Sequence, residues 1–398
     1  MTDPQRMTAR ELRASASLAS IFALRMLGLF LILPVFAIHA RGLPGGENGA
    51  LVGLALGIYG LTQAVLQLPF GAASDRFGRK PVIVAGLVLF AAGSFVAAGA
   101  DTVMQVVVGR AIQGAGAISA AVTAFVADST RDSQRTKAMA MVGGSIGLMF
   151  ALSMVIAPAL YASIGMRGLF EFTGVLALMA ILVTGFVVPA APPAPAAARR
   201  TPFREVALDG DLLRLNFGIF TLHAVQMAMF LVVPRWLVDR AGIPLAEHWK
   251  LYLAVVLLSF LVMMPPMLWG ERRGRMRAVF LGSVALLFAV SVMFALQPPG
   301  LVPIAGLLFA FFAGFNILEA ALPSLVSRQA PTDAKGAALG IYNTTQSLGL
   351  FAGGGLGGWV LSRWGGAAVF AMCALLLMVW LGLAAGHRRW PVPRAARG

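Results

Sequence analysis

The stretch Gly71-Ala-Ala-Ser-Asp75-Arg76-Phe77-Gly78-Arg79-Lys80-Pro81 joins two long apolar runs. An acid, three cations and a glycine fall between Asp75 and Lys80. Charges this dense between two membrane-length segments belong in water at the membrane face. A degenerate echo stands in the second half, Gly270-Glu271-Arg272-Arg273-Gly274-Arg275. Asp75 matches Glu271, Arg76 matches Arg272, Gly78 matches Gly274 and Arg79 matches Arg275. A repeat at about half the chain length predicts a duplicated membrane bundle.

The composition agrees. Of 398 residues, 59% are hydrophobic and 12% charged. Such a chain cannot hide its apolar surface in a water-soluble shape. Its apolar runs are about twenty residues long, the length of a bilayer-crossing helix. The net charge of +15 invites a nucleic-acid partner, but the cations sit in short loops and form no basic stripe, which argues against one. The single cysteine, Cys373, lies within the last apolar run, so neither an internal disulfide nor a multi-cysteine metal site is possible. No metal and no cofactor is expected, and no phosphate-binding Walker loop occurs. His, Cys and acids are too sparse for a catalytic constellation, so the chain does not read as an enzyme.

Taken in order, spans are expected at about 18–40, 48–73, 81–99, 102–127, 138–162 and 168–188. The Pro- and Ala-rich stretch 189–211 has the composition of an extended linker. A second set follows at about 212–234, 250–269, 278–296, 301–326, 336–361 and 366–386. The expected organisation is an all-α membrane protein of twelve transmembrane helices. These form two pseudo-symmetric six-helix bundles, 1–188 and 212–398, joined by the linker. The first run carries no convincing cleavage site and is expected to be retained. With both termini on the cytoplasmic side, the inside segments hold 22 Lys and Arg and the outside loops six. That asymmetry orients the chain.

Two motifs carry a family resemblance. Gly-x-x-x-Asp-Arg-x-Gly-Arg-Lys is met at Gly71, Asp75, Arg76, Gly78, Arg79 and Lys80, and Arg-x-x-Gln-Gly at Arg110, Gln113 and Gly114. A third, Gly-rich and Pro-ended, is met in part at Gly143, Gly147 and Pro158, with Ala157 where drug-efflux members carry glycine. The chain resembles the major facilitator superfamily over almost its whole length, and at closer range a bacterial inner-membrane branch of it. The resemblance implies alternating access by two rocking halves and a multi-pass protein of the bacterial inner membrane, working as a monomer among lipids on a small-molecule substrate. Members of that branch carry a small soluble C-terminal domain, for which the dozen residues after the last span leave no room.

The resemblance also implies roles. Gly71, Asp75, Arg76, Gly78, Arg79 and Lys80 would latch the halves on the cytoplasmic side in the outward-facing state. Asp128, at the inner end of span four, is the expected partner of Arg79. The bland alternative is a loop whose charges only orient the chain. Arg110 lies deep in span four, where a charge costs about 2.5–3.5 kcal/mol and calls for a wet cavity or a partner. In proton-coupled members the corresponding arginine is tied to proton transfer; a structural arginine on backbone carbonyls is the alternative. Arg25, two turns into span one, either anchors at the interface or lines the cavity.

Glu319 is the one acid deep in a span, and a desolvated carboxyl can gain and lose a proton. His223 is a second titratable candidate. Tyr59, Gln63, Gln113, Gln226, Asn316, Asn343 and Gln346 are polar groups on apolar helices, able to bind substrate or to glue helices together. The 26 Phe and 19 Met favour an adaptable apolar pocket over a sugar site. The leading expectation is proton-coupled efflux of small amphipathic or hydrophobic compounds. A symporter or uniporter of another solute, and a low-flux sensor or lipid-handling protein, remain open.

Overall fold

A computed structural model of the chain describes residues 7–190, 202–331 and 334–386. Residues 191–201 of the expected linker and the residues after 386 lie outside the described residues. Among the described residues, ten helices are long and apolar enough to cross a membrane.

The first helix, α1 (Ala9–Phe30), starts about nine residues earlier than expected. A capping box explains the early start: the Glu11 amide donates to Thr8 Oγ1 at 3.2 Å and the Thr8 amide donates to the Glu11 carboxylate at 2.8 Å. A break at Leu31 and Ile32 precedes α2 (Leu33–His39), which opens with Pro34 in its first turn, where the missing N–H is harmless. Helices α3 (Gly49–Phe77) and α4 (Arg79–Ala98) are separated by Gly78 alone. The expected loop is therefore two helix ends about one glycine at φ 93°, a conformation that a side chain disfavours.

Span four, expected as one helix over 102–127, is two: α5 (Val103–Ala115) and α6 (Ser119–Ser129). The break falls at Gly116, where a Cβ would lie 2.2 Å from the Gly86 carbonyl oxygen. The stretch α7 (Asp132–Leu182) is two helices that meet at a kink at Gly165, with φ 67° and ψ −175°. Its C-terminus loosens into a π turn, Val183–Val187. Part of the expected extended linker is a short helix, α8 (Phe203–Ala207), pinned by buried Val206. Then come α9 (Gly210–Asp239), α10 (His248–Arg272), α11 (Met276–Ala295) and α12 (Leu301–Gln329). The last, α13 (Lys335–Ala385), repeats the α7 pattern: two helices that meet at a kink at Gly365, with φ 78° and ψ −178°.

The chain divides into two compact units, Met1–Gly46 with Ile58–Arg199, and Glu47–Gly57 with Arg200–Gly398. In the first unit α7 packs along α1 and α4, and α4 along α5. Leu18, Ile21, Phe22, Leu87, Phe90 and Phe125 are fully or almost fully buried in its core. In the second unit α13 packs along α9 and α11, and α12 along α10 and α11. Trp380 is buried against Phe280 and against Gly218, where a Cβ would meet the indole at 2.8 Å. The start of α3 also belongs to this unit. A Cβ on Gly53 would lie 2.1 Å from the Gly354 carbonyl oxygen, and one on Gly358 2.5 Å from the Gly49 carbonyl oxygen. Backbones this close need glycine on both helices. Val65, Leu148, Leu182, Leu261 and Leu375 stand exposed on helix surfaces, as side chains facing lipid do.

Candidate transport site

In the first unit the charged motif folds back on itself. Arg79 Nε donates to Asp128 Oδ2 at 2.8 Å, as expected from sequence. Arg79 Nη1 reaches Asp75 at 2.5 Å and donates to Ser74 Oγ at 2.7 Å. The Arg79 side chain is largely buried, whereas Asp75 is 61% exposed. Lys80 Nζ donates to the Val188 carbonyl at 2.6 Å. Arg76 is exposed, its guanidinium 5.3 Å from the Phe77 ring centre. Gly71 faces Ala120, with room for a Cβ at ordinary contact distance, 3.4 Å. The left-handed Gly78 lets Asp75 in the last turn of α3 and Arg79 in the first turn of α4 share one cluster.

Deeper in the same unit Arg25 and Arg110 are fully buried against the Tyr59 ring, at 5.7 and 5.1 Å from its centre. Arg25 donates to Tyr59 Oη, to Gln63 Oε1 at 3.0 Å, to the Gly116 carbonyl at 3.1 Å and to Ser119 Oγ at 3.4 Å. The broken fourth span supplies two of these acceptors, because ending α5 at Ala115 frees the Gly116 carbonyl. Arg110 donates to Gln113 Oε1 at 3.0 Å, and Gln113 Nε2 donates to Ser94 Oγ at 2.8 Å. The glycine after Gln113 has a steric reason: a Cβ on Gly114 would lie 2.2 Å from the Tyr59 carbonyl oxygen. Five expected site residues, Arg25, Tyr59, Gln63, Arg110 and Gln113, are thus brought together.

The second unit gathers the titratable pair. His223 on α9 meets Gln346 on α13, Nε2 to Nε2, at 2.7 Å. Gln346 Nε2 also lies 3.5 Å from Glu319 Oε1 on α12, and His223 Nε2 lies 3.8 Å from Glu319 Oε2. His223 Nδ1 faces the Ile219 carbonyl at 3.3 Å. These contacts select the neutral tautomer protonated at Nδ1, with Nε2 accepting from the amide. Phe315 sits edge-on against the imidazole. Glu319 Oε2 and Tyr342 Oη are buried without a hydrogen-bond partner among the described residues. The Glu319 side chain as a whole is 34% exposed, although its Oε2 is buried. Asn316 Nδ2 donates to Ser259 Oγ at 3.0 Å, one turn before Glu319. Gln226 is buried in α9 and Asn343 half-buried on α13, and neither touches the Glu319 cluster through a hydrogen bond given by the structure.

Sequence reasoning missed the ion pair of Arg131 with Glu11. Arg131 donates to Glu11 through Nε at 2.8 Å, Nη2 at 2.9 Å and its own amide at 2.9 Å. These bonds raise Arg131 above the ordinary guanidinium range. The sequence signal was the Thr8-x-x-Glu11 box, which puts a helix start where only a polar tail was expected. Ser74, Ser94, Ser119 and Ser259 were also missed, because serine in an apolar helix carries no signal of what it faces.

Helices of membrane length, bearing a charged hinge and polar clusters in their cores, define a multi-pass membrane transporter. The chain belongs to the Major Facilitator Superfamily, whose family model matches residues 17–354. It is 43% identical over 397 residues to the inner membrane transport protein YajR of Escherichia coli K12, covering 98% of this chain and 87% of that one. It is 30% identical over 355 residues to the multidrug resistance protein MdtH of Yersinia enterocolitica, covering 84% and 83%. Two solved structures share the fold. A bacterial homologue of the lysosomal transporter Spinster matches with TM-score 0.74 at 12% identity, over 96% of this chain and 97% of that chain. The human organic anion transporter MFSD10 matches with TM-score 0.70 at 20% identity, over 95% and 100%.

Proposed function

We propose that this transporter is a proton-coupled exporter of small amphipathic or hydrophobic compounds, working by alternating access. The observation that carries the reading is the contact of Glu319, His223 and Gln346 on three different helices. In the ionised state the Glu319 carboxylate accepts from the Gln346 amide, which also donates to His223 Nε2. Protonation removes that charge, weakens the amide's hold on Glu319 and frees Gln346 to turn toward a solute. Proton and substrate then compete through one bridging amide, and each stabilises a different state of the cycle. Arg110 supplies a fixed positive charge in the first half. The hinge about Arg79 and Asp128 serves as the latch of the outward-facing state.

In this reading α7 and α13 each cross the membrane twice, turning at Gly165 and Gly365, which gives twelve crossings. Both termini are cytoplasmic, in a bacterial inner membrane, and the chain acts as a monomer. The names of MdtH relatives support efflux of drug-like solutes. The test is uptake into proteoliposomes with an imposed pH gradient, using a panel of amphipathic dyes. Uptake that the gradient drives and an uncoupler abolishes is the expected result. Dye movement indifferent to the gradient would leave a uniporter, and no movement of any dye would count against efflux of this substrate class.

A further inference from the structure

Helix α10 differs from its neighbours in how little of it the protein covers. Its buried residues lie mainly in its first half, Tyr252, Val255, Val256 and Ser259. On the opposite stripe Leu257, Leu261, Met264 and Leu268 are 56%, 68%, 50% and 45% exposed. Leu257 to Leu268 spans about 16 Å at ~1.5 Å per residue, roughly the hydrocarbon depth of one leaflet at ~15 Å. The stripe runs into an open recess of about 350 Å³ lined by Pro265, Leu268, Trp269, Arg272 and Arg273.

The charges around this recess are unevenly engaged. Arg275 lies with its guanidinium 5.6 Å from the Trp269 ring centre, and Arg277 donates to the Ala385 carbonyl at 2.6 Å. The Arg272 and Arg273 side chains are exposed and make no hydrogen bond or ion pair among the described residues. Glu271 stands beside them as the acid of the turn, and the four arginines leave the patch positive.

We propose that this recess binds an anionic phospholipid. Its phosphate sits between Arg272 and Arg273, its glycerol backbone against the Trp269 ring, and one acyl chain along Leu268, Met264, Leu261 and Leu257. Arginine pairs suit phosphate oxygens, and tryptophan suits the interface. Only an amphipath uses both the arginines and the stripe. A soluble phosphate gains nothing from the leucines. A second copy of the chain docking symmetrically would set the arginines against their own kind.

The test is native mass spectrometry of the delipidated full-length chain, titrated with phosphatidylglycerol or phosphatidylethanolamine, with glycerol 3-phosphate as competitor. One phosphatidylglycerol should be retained about 10- to 30-fold more tightly than phosphatidylethanolamine, the scale expected of two arginines near a membrane surface. The double variant Arg272→Gln/Arg273→Gln should lose that preference, while Arg328→Gln on another loop keeps it. Both changes fall on exposed side chains, and an unchanged thermal midpoint checks folding. Equal binding of the two lipids, a double variant that retains phosphatidylglycerol like wild type, or displacement by equimolar glycerol 3-phosphate would each overturn the proposal.

Discussion

Arg25 illustrates what one buried cation demands. Its guanidinium donates to four groups drawn from α3, α6 and the turn after α5. Lysine offers three donors on a point charge and cannot reproduce that planar fork. Arg25→Lys should therefore destabilise the first unit by roughly 1–3 kcal/mol through stranded acceptors, read as a lower thermal midpoint in detergent. A midpoint equal to wild type would mean that the cluster is not under load. Glu319→Gln makes the opposite kind of change, because the amide keeps the size of the carboxyl and removes its charge. It should retain solute-for-solute exchange and lose response to a pH gradient, as measured by counterflow beside gradient-driven uptake. Arg25, Arg110 and Glu319 were legible as sequence because ionisable groups in apolar runs are conspicuous. Which helices they would meet was not, since partners such as Ser119 and the Gly116 carbonyl are ordinary until the fold assembles them.

At the scale of the element, glycines set where helices end and how closely they approach. Gly78 divides α3 from α4 at φ 93°. An L side chain there costs about 1–3 kcal/mol, so Gly78→Ala should loosen the Arg79–Asp128 contact as well as lower stability. A double-mutant cycle on Arg79→Ala and Asp128→Ala reads that contact directly. A coupling of about 0.5–3 kcal/mol is expected in the native background and should shrink in Gly78→Ala. At the crossing of α3 and α13, Gly53→Leu or Gly354→Leu would drive a side chain into backbone, with a cost of about 1–3 kcal/mol or more. The apolar runs predicted most helices to within a few residues. They missed the break at Gly116 because its cause, the neighbouring Gly86 carbonyl, lies about thirty residues away in sequence. They missed the first two turns of α1 because capping, rather than hydropathy, starts that helix.

At the scale of the whole molecule, the duplicated charged motif and the membrane-length runs were enough to read the fold class before any coordinates. The inside-to-outside ratio of 22 to six basic residues makes a topology prediction of its own. In a Cys373→Ser background, a membrane-impermeant maleimide added to intact cells should label Ser362→Cys and leave Arg204→Cys unlabelled until the membrane is opened. The reverse pattern would invert the orientation. The central claim is that substrate movement and proton movement are linked through Glu319. Its most direct test is proton flux into proteoliposomes, followed with a trapped pH dye while an outward dye gradient is imposed. Wild type should move protons only when substrate is present, and Glu319→Gln should move none while still exchanging substrate. Substrate-dependent proton flux of wild-type size in Glu319→Gln would contradict the account.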